Sequence, residues 1–197
     1  MNSSVGDTQE LSKTGAEREI VVGVTGGIAG YKAAALVSQL VQAGFGVTVV
    51  MTAAARHFIG EATFAALSSR PVAKQIFDEA AYPLGAHIEL ARRSQLLCIA
   101  PASADFLAKA AHGIADDLLS TLYLAFTGPV FMAPAMNAEM WAKPAVQRNV
   151  EQLRQDGVQF IDPQEGWLSC RVRGVGRMAQ PELIAAAVSQ ALTQDRL

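Results

Sequence analysis

The sequence predicts an α/β protein whose parallel sheet is covered by helices on both faces. Three observations lead there. From residue 19 onward, short apolar runs alternate with helix-period segments, the order that builds successive strand–helix–strand units. The runs are continuously apolar instead of alternating with polar residues, as expected of strands buried on both faces. Apolar residues make up 51% of the chain and charged residues 17%, a balance that buries a core and does not suit a disordered chain. The expected arrangement is three-layered and Rossmann-like, of the flavodoxin-like kind, with ligands at the carboxyl ends of the strands.

EIVVGVT (19–25) reads as the first strand, followed by a helix over 31–43 in which Leu36, Val37, Leu40 and Val41 recur at helical spacing. VTVVM (47–51) is the second strand, and an alanine-rich segment runs on through Leu67. HIELA (87–91) follows a loop containing Pro83 and Gly85 and opens a helix. LLCIA (96–100) is the third strand, ahead of helices over 104–112 and 117–126. PVFMA (129–133) leads to a helix over 145–156, with Val146, Val150 and Leu153 on one face. VQFI (158–161) is the last clear strand. A glycine-rich loop then precedes a helix over 181–192, which Pro181 starts and in which Ile184, Val188 and Ala191 are in register.

The length, 197 residues, suits a single domain over 19–197. Residues 1–18 are polar, lack the apolar core of a signal peptide and read as a disordered tail. Formal charge is 16 − 18 = −2 with no basic block, which gives no footprint for nucleic acid or an anionic membrane. No apolar run approaches a membrane span. The two cysteines, Cys98 and Cys170, make no disulfide framework, so a cytoplasmic protein with free thiols is expected. There is no Cys-x-x-Cys, histidine cluster or Glu-x-x-His, hence no expected metal site. The Gly-x-Ser-x-Gly elbow of hydrolases is also missing.

The segments just after the strands carry the candidate chemistry. Thr25-Gly26-Gly27-Ile28-Ala29-Gly30 closes the first strand. Its glycines let the backbone approach an anion at a helix N-terminus, or serve only as a tight turn. The Gly-x-Gly-x-x-Gly spacing is absent, the second strand ends in Met51-Thr52 without a ribose-binding acid, and Lys32 follows Tyr31 without a Gly-Lys-Ser/Thr. A mononucleotide fits this pattern better than NAD or ATP. Thr52 offers a hydroxyl, with an apolar wall through Phe58 behind it. Small residues at 101–105 leave room for a flat ring beside Ser103, which is either a donor or a helix cap. Asn137, among Met136, Met140 and Trp141, is either a reader of a carboxylate in an apolar pocket or an N-cap. His87 sits at a loop-to-helix junction, and an imidazole there has the chemistry to move protons near neutrality. Cys170 lies in a flap of three glycines and three arginines, among them Arg177, that suits an anionic substrate. Cys98, inside a strand, reads as core.

Taken in order, TGGIAGYK, the HIEL histidine, PASAD, PAMNAEMW and the GWLSC…GVGRM flap resemble the flavin-dependent cysteine decarboxylases. The resemblance spans roughly 19–192, and PAMNAEMW is its most specific element. It implies FMN at the strand ends, held by Gly26, Gly27, Ile28, Thr52, Phe58, Ser103, Ala104, Asp105 and Met136. It implies His87 as catalytic histidine and Cys170 as the cysteine of a reductive step. Asn137, Met140, Ser169 and Arg177 would contact substrate, with Asn137 on its carboxylate. It also implies a homo-oligomer, a trimer or a trimer-based dodecamer, with the flavin between subunits. The implied substrate is phosphopantothenoylcysteine of coenzyme A biosynthesis, because members that process peptide cysteines lack the reductive cysteine.

The chain departs from the family pattern in places. Asp105-Phe106 replace the usual Asn-Thr, and an ionised Asp cannot donate as an amide does. Arg93 and Gln95 stand in HIELARRSQ where HIELARWAD is common, and Arg171 follows Cys170 in place of Gly. The sequence stops at Leu197, so the ligase fused to many homologues is expected to act as a separate protein. Two alternatives use the same scaffold: other flavin chemistry, as peptidyl-cysteine decarboxylation or prenyl transfer, and a non-catalytic flavin-binding regulatory subunit. Cys170 and PAMNAEMW argue against the first. Asp105 and the altered HIEL segment keep the second open, and the acidic tail that marks some such relatives is missing.

Overall fold

The computed structural model describes residues 18–194. The tail expected over 1–18 therefore lies outside the described residues, apart from Arg18, whose carbonyl accepts the Gly46 N–H at 3.0 Å. The element order is β1 (Glu19–Val24), α1 (Gly30–Gln42), β2 (Gly46–Met51), a 3₁₀ turn (Ala55–His57), α2 (Glu61–Ser68), α3 (Ala86–Arg93), β3 (Leu96–Ala102) and α4 (Ala104–His112). It continues with α5 (Leu118–Ala125), β4 (Val130–Pro134), α6 (Ala138–Trp141), α7 (Pro144–Gln155), β5 (Gln159–Phe160), β6 (Gln164–Trp167), β7 (Arg173–Arg177) and α8 (Pro181–Gln194).

Strands β1 to β5 form one parallel sheet in the order β2-β1-β3-β4-β5, as the continuous apolar runs predict. Successive residues of each strand point to opposite faces. Val22, Val49 and Cys98 face α1 and α8, whose Leu36, Leu40, Ile184 and Val188 are fully buried. Val21, Ile99 and Met132 face the other layer, built from Leu90 of α3, Phe106 of α4, Leu119 of α5 and Leu153 of α7. Each such side chain contributes roughly 1.5–3 kcal/mol when fully buried. Local chemistry sets the helix ends. Gly44 (φ 86°) follows the end of α1 and Gly113 (φ 66°) ends α4, where a left-handed residue is needed. Asp117 and Ser120 form a reciprocal capping box at the start of α5.

Two features differ from the sequence reading. The third strand runs on to Ala102, and the segment read as a glycine-rich loop contains an antiparallel hairpin, β6–β7. The hairpin is seated on the loop before α6. The Met136 N–H donates to the Gly176 carbonyl at 3.0 Å, and a Cβ on Gly176 would lie 2.3 Å from the Met136 carbonyl oxygen. Only glycine permits that approach.

Candidate active site at the switch point of the sheet

Strand order reverses between β1 and β3, with β2 on one side and β4 on the other. The loops leaving β1 and β3 therefore diverge, and in such sheets the gap between them is where ligands bind. Thr25, a residue the sequence reading passed over, joins the two strand ends. Its buried hydroxyl donates to the Pro101 carbonyl (2.7 Å) and accepts from the Ser103 N–H (2.8 Å). Ser103 in turn caps α4 through the Phe106 N–H at 3.2 Å.

Above this joint lies a cleft of about 510 Å³, within the range of cofactor and small-molecule sites. Gly26, Gly27, Ile28 and Phe58 line one side, and Ser103, Ala104, Met136, Asn137 and Met140 another. Ser169, Cys170 and Arg177 of the hairpin close over it. Twelve of the fifteen residues singled out in the sequence thus share one cleft.

The other three do not line it. Thr52 accepts the Ala55 N–H on its hydroxyl (3.3 Å) and donates its own N–H to the Val24 carbonyl (3.1 Å). Asp105 is exposed and pairs with Lys109 at 3.3 Å; Lys109 also meets Asp116 at 3.0 Å, which holds the Lys109 ammonium above its ordinary pKa. His87 is half-buried at the start of α3 and is absent from the cleft of its own chain. The departures from the family pattern find local roles here. Arg93 donates to the Thr48 hydroxyl at 2.9 Å and lies over the Tyr82 ring, and Phe106 packs edge-on against Tyr123.

Lys32 is the main cleft residue whose role the sequence reading missed. It is 5% exposed and lines the cleft, and its ammonium donates to the Met178 carbonyl at 2.8 Å. Burial, with Arg177 adding to it, pulls its pKa below the ordinary lysine value. The available signal was a lysine on the buried face of α1, between Ala33 and the loop. Cys98 is fully buried and its thiol is pushed up to about 12 by desolvation, which makes it inert; Cys170 is exposed.

Asn137 is both things that the sequence allowed. Its Oδ1 accepts the Met140 N–H at 2.8 Å and caps α6. That bond fixes which end of the amide is spent and leaves the NH₂ as donor. A donor in an apolar cleft suits a carboxylate.

The residues also fit a flavin mononucleotide. A Cβ on Gly27 would meet nothing within 4 Å, whereas one on Gly26 would strike Ala54 at 2.6 Å. The loop backbone is thus pinned behind and open toward the cleft. Helix α1 starts without a side-chain cap or an acid in its first turn, which leaves its positive end for an anion. Among the described residues no group of His, Cys, Asp and Glu could hold a metal ion, and no helix is long and apolar enough to cross a membrane.

Fold and cleft together define a mononucleotide-type α/β protein with a covered ligand cleft at its switch point. The chain belongs to the Flavoprotein family, whose model matches residues 8–193. It is 48% identical over 167 residues to the Coenzyme A biosynthesis bifunctional protein CoaBC of Bacillus subtilis, covering 85% of this chain and 41% of that protein. The match to the Haemophilus influenzae protein of the same name is 43% over 177 residues, 90% of this chain and 44% of that one. The chain thus spans about two-fifths of these relatives' length. Among solved structures, a PPC decarboxylase mutant complexed with pantothenoylaminoethenethiol superposes with a TM-score of 0.82 at 29% identity, covering 90% of this chain and 99% of that one.

Proposed function

We propose that this chain is an FMN-dependent carboxy-lyase that converts phosphopantothenoylcysteine to phosphopantetheine in coenzyme A biosynthesis. The observation that carries this reading is the meeting of the Gly26–Gly27 loop, the Asn137 amide and the Cys170 thiol in one cleft. The names of the similar proteins support the same chemistry.

FMN, when bound, supplies a reversible two-electron oxidation at the substrate's sulfur-bearing carbon, which gives the electrons of the departing carboxylate somewhere to go. Gly26, Gly27, Ile28, Ser103 and Ala104 would hold it, with Phe58 and Met136 as apolar walls. The Asn137 NH₂ orients the substrate carboxylate, while Met136, Met140, Trp167 and Leu168 exclude water from it. Loss of hydration weakens the hold on the carboxylate's charge and favours release of carbon dioxide. Lys32 and Arg177 supply positive charge for the anionic part of the substrate. The Cys170 thiol sits on the turn of the hairpin, where it can deliver a proton to the decarboxylated carbon.

His87 is assigned to the cleft of a second copy in a homo-oligomer, a trimer or a trimer-based dodecamer. Its absence from its own chain's cleft supports this. So do the apolar side chains left exposed at the mouth, Ile28, Tyr31 and Phe58, at 59%, 63% and 51%. A cytoplasmic setting belongs to the same reading, supported by the free thiols.

The test is a visible spectrum of the purified chain, then anaerobic addition of phosphopantothenoylcysteine with carbon dioxide measured. Yellow protein that bleaches and releases carbon dioxide is expected. Colourless protein that takes up no FMN on reconstitution sinks the proposal. Bound flavin without turnover on any cysteine substrate favours a regulatory subunit instead.

A further inference from the structure

We infer that His87 works as the Nε2–H tautomer with Nδ1 bare, so that the ring meets its ligand as a hydrogen-bond donor. The placement of His87 at the reacting centre rests on the function proposed above; the tautomer itself rests on local geometry.

The Nδ1 atom is sealed from solvent and has no hydrogen-bond partner, whereas Nε2 is not among the sealed atoms. The backbone at Gly85 lies against the closed edge of the ring. A Cβ there would stand 3.5 Å from Cε1 and 3.8 Å from Nδ1. No acceptor comes within hydrogen-bonding distance of Nδ1. The Gly85 carbonyl takes the N–H groups of Ile88 and Glu89, both at 3.1 Å, which uses its two lone pairs. The Glu89 carboxylate takes the Leu84 N–H at 2.8 Å.

A proton on Nδ1 would thus be a buried donor facing no acceptor, a situation folded proteins avoid more strictly than a bare acceptor. On Nε2 the same proton reaches water or a ligand, and the bond available to one ring nitrogen fixes the state of the other. Assembly does not change the argument. The chain's own atoms already close Nδ1, so neither a second copy nor a bound group can reach it. The consequence for the reaction is directional. His87 begins by donating to an atom with a lone pair or developing negative charge, and does not begin by taking a proton.

The experiment is a long-range proton–nitrogen correlation spectrum of the FMN-loaded full chain labelled with ¹⁵N-histidine. Only three histidines contribute, and His87→Gln identifies the relevant set of peaks. A pyridine-type Nδ1 with a pyrrole-type Nε2 is expected; a pyrrole-type Nδ1 overturns the inference. A second arm compares His87→Gln, whose amide nitrogen lies near the Nε2 position, with His87→Asn, whose amide lies near Nδ1. The Gln variant should keep at least about tenfold more turnover, the value of one hydrogen bond. An Asn variant that equals or exceeds it overturns the inference. A protein that never binds flavin would defeat the proposed function while leaving the tautomer readable.

Discussion

The ammonium of Lys32, on the first turn of α1, donates to the carbonyl of Met178, just past the end of β7. A buried cation thereby ties the glycine-loop side of the cleft to the root of the hairpin that covers it. Lys32→Met should keep the fold, because the side chain's length and apolar stem are preserved. It should raise KM for the anionic substrate by about tenfold or more, the worth of a charge-assisted hydrogen bond, with FMN retained. Steady-state kinetics beside a flavin spectrum decide it; an unchanged KM would remove Lys32 from substrate binding.

Asn137 offers a cleaner separation of folding from function. Asp caps a helix as well as Asn does, so Asn137→Asp should melt close to the parent. The NH₂ donor becomes a carboxylate facing a carboxylate, and kcat/KM should fall by about 100-fold or more. Asn137→Ala should also lose the cap, about 1 kcal/mol of local stability. An Asp variant that remained active would break the assigned role.

These two residues also mark how far the sequence could be read. The five parallel strands and both helix layers were legible because continuous apolar runs and 3.6-residue periodicity report burial directly. The order β2-β1-β3-β4-β5 fits that expectation. The β6–β7 hairpin was not legible. Gln164, Glu165, Gly166, Arg173, Gly174 and Gly176 carry little strand preference, and the pairing depends on backbone contact with the loop before α6, which no local pattern encodes. Thr25 and Lys32 were missed for a related reason. Their partners, Pro101, Ser103 and Met178, lie far along the chain, and only the closed fold brings them together. Thr52 and Asp105 illustrate the reverse case, where being next to a strand end did not place a side chain in the cleft.

Arg171 sits at φ 64° in the turn of the hairpin, its N–H donating to the Leu168 carbonyl at 2.9 Å. A left-handed conformation costs a residue with a Cβ roughly 1–2 kcal/mol, which glycine escapes. Part of that gain is offset by glycine's freedom in the unfolded chain. Arg171→Gly should therefore stabilise the protein by up to about 1 kcal/mol. Chemical denaturation measures this, and a destabilised variant would mean that the guanidinium contributes contacts that outweigh the strain.

Cys170 is exposed on that same turn and lines the cleft, where a thiol can meet the decarboxylated product. Cys170→Ser keeps size and hydrogen bonding but replaces a thiol with a hydroxyl, a far weaker acid. Carbon dioxide release should persist while product accumulates two hydrogens short of phosphopantetheine, detected by mass spectrometry. Full phosphopantetheine formed at the parent rate would show that the proton comes from elsewhere.

At the opposite end of β1 from the cleft, Glu19 receives both terminal nitrogens of Arg70, and these bonds hold its carboxyl below the ordinary value of 4.5 despite partial burial. Arg70 also reaches the Thr48 hydroxyl at 3.3 Å, so the pair joins β1, β2 and the segment after α2. A carboxyl with a lowered folded-state pKa binds fewer protons folded than unfolded. Its contribution is therefore complete above the unfolded value and fades as pH falls through the folded one. Glu19→Gln should cost roughly 1–3 kcal/mol at neutral pH, and the gap from the parent should narrow steadily once pH drops below about 4.5. Urea titrations of both proteins across that range test the sign directly. A gap that stayed constant into acid would mean that Glu19 matters for its shape against Gly46 and not for its charge.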